Sequence, residues 1–156
     1  MKRLVLIIVM LTAVAGSLWG QRVEVGTKAP RIREVEWISD KPDHHESPKP
    51  LVVEFFHSSN SDCKARIEAC NELARLLRHD LEVVMLTREP AEQVAQMLLH
   101  EYQYFYVASD ERGNTFRAFG VNHVPYAVVV GTNGKIVWCG NPVGLTAEKL
   151  QKILQK

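Results

Sequence analysis

"LVVEFFHSSNSDCKARIEAC", residues 51–70, reads as a strand, a polar turn and the start of a helix. Residues 51–56 form a short apolar run of the kind that fills a central strand, interrupted once by Glu54. From Asp62 onward the apolar positions Ile67, Cys70, Leu73, Ala74 and Leu77 recur at spacings of three and four. That period predicts an amphipathic helix over 62–78, capped by Asp62 or Ser61, with Cys63 in its first turn. The acid in the strand stands out because a buried carboxylate is unfavourable unless paired or hydrogen-bonded. A nearby Lys or Arg, such as Lys64 or Lys135, is the candidate partner for Glu54.

Downstream, residues 81–87 read as a second buried strand, 91–100 as a helix entered through Pro90, and 104–108 as a short strand. Residues 126–130 and 136–139 flank the turn Thr132-Asn133-Gly134, which predicts a hairpin, and a last helix is expected over 146–154. Upstream, 23–28 and 41–50 are irregular, with a strand or hairpin expected at 32–38. Long crossovers between the early strands call for a parallel pair, and the hairpin adds an antiparallel one. The expectation is therefore one α/β domain over 21–156, with a central mixed sheet of four to five strands flanked by helices. At 156 residues, with no internal repeat, one core is expected.

Nineteen basic side chains against eighteen acidic ones leave a formal charge of +1, so no global field points to nucleic acid or an anionic membrane. The first twenty residues differ from the rest. Met1-Lys2-Arg3 is a positive start, 4–15 is almost wholly apolar, and small residues follow at Ala13, Ala15, Gly16 and Gly20. This is the pattern of a secretory signal, residues 1–20, cleaved after Ala15 or Gly20. The apolar run is shorter than the roughly 20 residues of a bilayer span, so no membrane span is expected after cleavage. The expected location is the periplasm or the exterior, where disulfides persist.

Cys63, Cys70 and Cys139 are the three cysteines, an odd number that leaves at least one thiol free or shared with a partner. Cys63 and Cys70 are seven residues apart, a rise of about 10 Å along a helix, beyond what a disulfide spans. Pairing of either with Cys139 stays open. The plain reading of Cys70 and Cys139 is as small buried hydrophobes.

Several segments now combine. "VGTKAP" at 25–30, "LVVEFF" at 51–56, "YVASDERGNTFRAFGV" at 106–121 and "VPYAVVVGTNGKIVWCGNP" at 124–142 together resemble the thioredoxin-like superfamily, in particular its exported TlpA/ResA and redoxin branch. The resemblance covers most of the chain beyond Gly26. It implies a thioredoxin fold, and it implies that the strand ending at Phe56 leads into a Trp-Cys-x-x-Cys site. Setting the second family cysteine on Cys63 places Ser59 at the tryptophan and Asn60 at the nucleophilic cysteine. Glu54 then falls six residues before Asn60, where the family keeps a buried acid that moves protons for the second thiol. The other register makes Cys63 the nucleophile and puts Arg66 at the second thiol, with three extra residues in the turn.

In such a motif the first cysteine attacks a substrate disulfide as a thiolate stabilised at a helix N-terminus, and the second resolves the mixed disulfide. Asparagine cannot attack, although it suits a turn or cap. The resemblance also makes Val124-Pro125 the cis-proline dipeptide, whose loop presents backbone groups to an extended peptide. His57 and His123 are near enough in the motifs to approach Cys63, but spacing alone does not support a metal site. His44-His45, between Asp43 and Glu46, is read as solvated loop, and the alternating Tyr102, Tyr104 and Tyr106 as a strand edge. No cofactor or metal is expected.

Two functions follow. The first is a non-catalytic or monothiol thioredoxin-like module that binds a peptide or a thiol-containing protein through Val124-Pro125, with Cys63 as an auxiliary thiol. The second is an active thiol–disulfide oxidoreductase, or a peroxidase-like enzyme, using Cys63 with Cys70 or Cys139.

Overall fold

The computed structural model describes residues 23–40, 42, 49–98 and 104–156. The expected signal segment, the His44-His45 pair, Tyr102 and the end of the 91–100 helix lie outside them. The described chain runs β1 (Glu36–Trp37), β2 (Leu51–Phe55), α1 (Ser61–Leu77), β3 (Glu82–Thr87), α2 (Ala91–Leu98), β4 (Tyr106–Ser109), α3 (Asn114–Ala118), β5 (Tyr126–Val130), β6 (Ile136–Gly140) and α4 (Ala147–Leu154).

The strands form one mixed sheet in the order β1-β4-β3-β2-β5-β6. β2 lies at its centre, parallel to β3 and antiparallel to β5, with Val53 opposite Val84 and Val128 in the two ladders. β4 continues the parallel part and β6 the antiparallel part. The apolar run of β2 is explained by this position: both faces are covered, so alternate residues feed two cores. Val52, Phe56, Val83, Met85 and Val129 pack with Cys63, Ile67, Cys70 and Leu73 of α1 and with Leu150 of α4. Val53, Phe55, Val84, Leu86 and Val128 pack on the other face with Phe116 and Phe119, at and just beyond α3. Strand alternation puts Glu54 on the same side as Val52 and Phe56, toward α1.

The sheet has six described strands, not four to five. The addition is β1, two residues long, the only strand formed within the 32–38 stretch; it pairs antiparallel with β4 and closes that edge. Such a short edge strand carries little alternating pattern, and its pairing partner is about seventy positions away in the sequence. α3 is also new. It is five residues long, and its start is fixed by Asp110, whose Oδ1 accepts from the Asn114 amide at 3.0 Å and whose Oδ2 accepts from the Phe116 amide at 2.8 Å. A helix this short has too few positions to show a period. The β5–β6 turn forms at Thr132-Asn133-Gly134 as expected, with Gly134 at φ 74°, a conformation that favours glycine.

Candidate functional site

β2 ends at Phe55, the chain turns through residues 56–60, and α1 begins at Ser61. β5 pairs with β2 so that Tyr126 stands opposite Phe55. The segment before β5 therefore runs beside the turn. The Val124–Pro125 peptide bond in that segment is cis.

Asn60 joins these two pieces. It is the N-cap of α1, with extended backbone (φ −83°, ψ 122°), which corrects the expectation of Asp62 or Ser61. Its Oδ1 accepts from the amides of Asp62 at 2.9 Å and Cys63 at 3.3 Å, satisfying two of the orphan donors of the first turn. Its Nδ2 donates to the Val124 carbonyl at 3.3 Å. One side chain thus caps the helix and tethers the loop that carries the cis bond.

Cys63 lies in the first turn of α1 and is fully buried, facing the sheet. The His57 amide points at its Sγ at 3.5 Å. Burial pushes the Cys63 thiol up; the His57 amide opposes this, and the charges of Glu54, Asp62 and Glu89 add to the rise. The site thus favours the thiol over the nucleophilic thiolate.

All three cysteines are free. Cys63 and Cys70 share the α1-side core, on an unbroken helix. Cys139, on β6 opposite Val128, packs against the other core. The sheet stands between Cys139 and the other two, which closes in this conformation the pairing that the sequence left open. Cys70 is pushed well above the ordinary thiol value by its complete burial first and the nearby Glu54 charge second, with Arg66 opposing.

Glu54 is fully buried and is held by Arg66 of α1, Nε to Oε1 at 3.0 Å and Nη2 to Oε2 at 2.9 Å. The partner is thus a nearby arginine, neither Lys64 nor Lys135. Burial alone would lower the Arg66 guanidinium, but the Glu54 carboxylate more than offsets it and raises it. In the sequence Arg66 stood out only as the residue at the second thiol in the other register, although it sits in phase with Cys63 and Cys70 on the buried stripe of α1.

Glu89, between β3 and α2, was also missed, and nothing in its sequence surroundings marks it. Its nearly buried carboxylate accepts from the Ser58 amide at 2.8 Å, from the Ser58 hydroxyl, and from the Thr87 hydroxyl at 2.8 Å. Burial acts to raise this carboxyl, but the Ser58 and Thr87 hydrogen bonds and the nearby His57 outweigh it and hold it below the usual range. Glu89 thereby anchors the turn before α1 to the end of β3. His57 Nδ1 lies 3.6 Å from Glu89 Oε1 and accepts from the Ser59 amide at 3.2 Å. The Ser59 hydroxyl also lies 2.9 Å from Nδ1, so all three contacts fall on one nitrogen and Ser59, His57 and Glu89 do not form a proton relay of the Ser-His-acid type. The His123 ring packs edge-on to Tyr126, centroids 5.7 Å apart. Among the described residues no group of three or more His, Cys, Asp or Glu is arranged to hold a metal.

A mixed sheet with a cis-proline loop set against the N-terminus of the helix that follows the central strand defines a thioredoxin-like fold. The chain belongs to the AhpC/TSA family, whose model matches residues 25–139. Solved structures agree on the fold. A Chlorobium tepidum protein provisionally named thiol:disulfide interchange protein DsbE is 20% identical, with a TM-score of 0.69 over 85% of this chain and 99% of that one. The exposed lipoprotein thioredoxin Etrx1 of Streptococcus pneumoniae is 18% identical, with a TM-score of 0.65 over 78% of this chain and 96% of its own. A peroxiredoxin-like protein from Aquifex aeolicus is 15% identical, with a TM-score of 0.67 over 86% and 90% of the two chains. A search of curated proteins finds no match to this chain.

Proposed function

We propose that this chain is an exported thioredoxin-fold protein that binds a peptide or protein segment beside Val124-Pro125 and does not run a dithiol cycle. Asn60 carries the reading. In the family's motif the residue at the helix start, three before the resolving thiol, is the attacking cysteine; here an amide fills that position and is spent on capping α1 and bonding Val124. Cys63 is left without a partner thiol, buried and with its thiolate disfavoured, so it serves at most as an auxiliary group. Glu54, both of whose oxygens are bonded to Arg66, is placed to set the local field at Cys63 rather than to shuttle its proton.

Export rests on the signal-like residues 1–20 and is in keeping with the likeness to an exposed lipoprotein thioredoxin. No described helix is long and apolar enough to cross a membrane. The partner class is protein or peptide, and the near-neutral charge gives no reason to expect nucleic acid.

Insulin disulfide reduction tests the reading. The wild type is expected to show little activity and Asn60→Cys a measurable gain, since that substitution rebuilds a cysteine pair around Ser61-Asp62. Wild-type turnover at the rate of an ordinary thioredoxin refutes it.

Family membership and the peroxiredoxin-like neighbour keep one alternative in play, a peroxide-reactive Cys63. Its mark is conversion of Cys63 to a sulfenic acid by stoichiometric peroxide, seen by mass spectrometry. The burial of Cys63 predicts slow conversion.

A further inference from the structure

Beside the Val124-Pro125 loop lies a shallow cavity of about 180 Å³ that none of the chemistry above uses. Its apolar walls include Phe56, Phe116 and Val124, and its polar rim carries His57, Arg88 and His123. Among the described residues no carboxylate lines it. Two acids nearby are already engaged, Glu89 by Ser58 and Thr87 and Asp110 by the Asn114 and Phe116 amides.

Arg88 has no hydrogen-bond or ion-pair partner among the described residues. Its guanidinium lies across Gly113: a Cβ there would meet Arg88 Nε at 3.1 Å and Cζ at 3.2 Å, with Arg117 Nη1 at 3.3 Å from the same point. Arg117 is committed, donating to the Arg112 carbonyl at 2.9 Å and to the Asn114 side chain. Two guanidinium groups therefore share one small region, and only one has its hydrogen bonds made. His57 lines the cavity too, with its Nδ1 turned to Ser59 and Glu89.

We infer that this cavity is a specificity subsite: it accepts an acidic side chain of the extended peptide that docks beside Val124-Pro125, with Arg88 as the principal contact. The inference deepens the peptide-binding reading and rests on it. The apolar walls suit the methylenes of a Glu or Asp side chain, and the Arg88 guanidinium, without a partner among the described residues, offers a planar fork that matches a carboxylate. A neutral Gln of the same shape offers Arg88 one carbonyl acceptor, without the opposite charge or the second oxygen that pairs with the fork. Arg88 is exposed, so its contribution is modest and sensitive to salt.

The test uses the full chain, ¹⁵N-labelled, with two pools of capped nonapeptides randomised over uncharged residues other than cysteine and fixed at the centre as Glu or Gln. Titration is followed at the amides of Arg88 and residues 121–124. The Glu pool is expected to bind about fivefold more tightly than the Gln pool, a gap that closes in Arg88→Gln, persists in part in Arg88→Lys and shrinks at high salt. Equal binding of the two pools refutes the acid subsite while leaving peptide binding intact. A Glu preference that survives Arg88→Gln shows that the acid is read elsewhere. Inorganic phosphate giving the same shifts at the same concentration makes this a small-anion site and overturns the peptide assignment. If neither pool shifts residues 121–124, the peptide-binding reading falls and takes the subsite with it. Because Arg88 is exposed and has no partner among the described residues, its variants should keep the dispersed spectrum of the folded chain.

Discussion

Arg66 grips both carboxylate oxygens of Glu54, at 3.0 and 2.9 Å, across the interface between α1 and the centre of the sheet. The pair is almost wholly removed from water, with Glu54 at 0% and Arg66 at 6% exposure. Two charges so placed are costly to desolvate and are tolerable because each satisfies the other. Their separation is therefore worse than their joint removal.

Arg66→Met, which leaves the Glu54 charge without its partner, is expected to destabilise the fold by about 3–5 kcal/mol at neutral pH. Glu54→Leu combined with Arg66→Met should recover most of that loss. Urea unfolding midpoints of the two variants check this, and a double variant no more stable than Arg66→Met contradicts it.

Cys63 should alkylate slowly at neutral pH and faster on the alkaline side of an ordinary thiol, because burial, Glu54, Asp62 and Glu89 all favour its protonated form. In Glu54→Gln one of those negative charges is gone and Arg66 is released as an uncompensated cation. The midpoint of the labelling curve should then move to lower pH. Iodoacetamide labelling resolved by peptide mass spectrometry reads it, and an unmoved curve confines Glu54 to a structural part.

At Asn60, separate variants divide the two jobs of the side chain. Asn60→Ala removes the cap and should cost about 1 kcal/mol of stability. Asn60→Asp keeps an oxygen for the Asp62 and Cys63 amides but has no donor for the Val124 carbonyl. Its stability should stay near wild type while the amide shifts of His123, Val124 and Tyr126 change. Equal destabilisation in both variants means that the Val124 tether, not the cap, dominates.

Acid should loosen the turn through Glu89. Its carboxyl is held below the usual range in the folded chain, so between the folded and unfolded values the unfolded state binds the extra proton. The stabilisation is present above the unfolded value of about 4.3 and is lost as pH falls through the lower folded value. Glu89→Gln should flatten this part of the acid limb, measured as urea midpoints between neutral and strongly acidic pH. A limb of unchanged steepness assigns the acid sensitivity to other carboxylates.

Local pattern was enough for the centre of the scaffold, though not for β1 or α3. The β2 run is buried on both faces, the three-and-four period of α1 marks the face it presents, and Asn133-Gly134 specifies the β5–β6 turn; each signal lies within a few residues of the structure it sets. From the same residues Glu54 could be seen to need a partner, but not which one. Lys64 precedes the buried phase of α1 and is exposed, whereas Arg66 turns inward with Cys63 and Cys70. Lys135 follows the end of β5 that lies beside Leu51, away from the end that lies beside Phe55. The cap was equally undecided, since Asn60, Ser61 and Asp62 all suit it in isolation; Asn60 also meets the Val124 carbonyl, across 64 positions of chain. The cysteines show the same division. Their odd number is a property of the sequence, but which of them share a core follows from the sheet, which sends Cys63 and Cys70 to one face and Cys139 to the other. Periodicity is written along the chain, whereas the partner of a buried charge, the cap of a helix and the neighbour of a thiol are fixed only when distant segments are packed together.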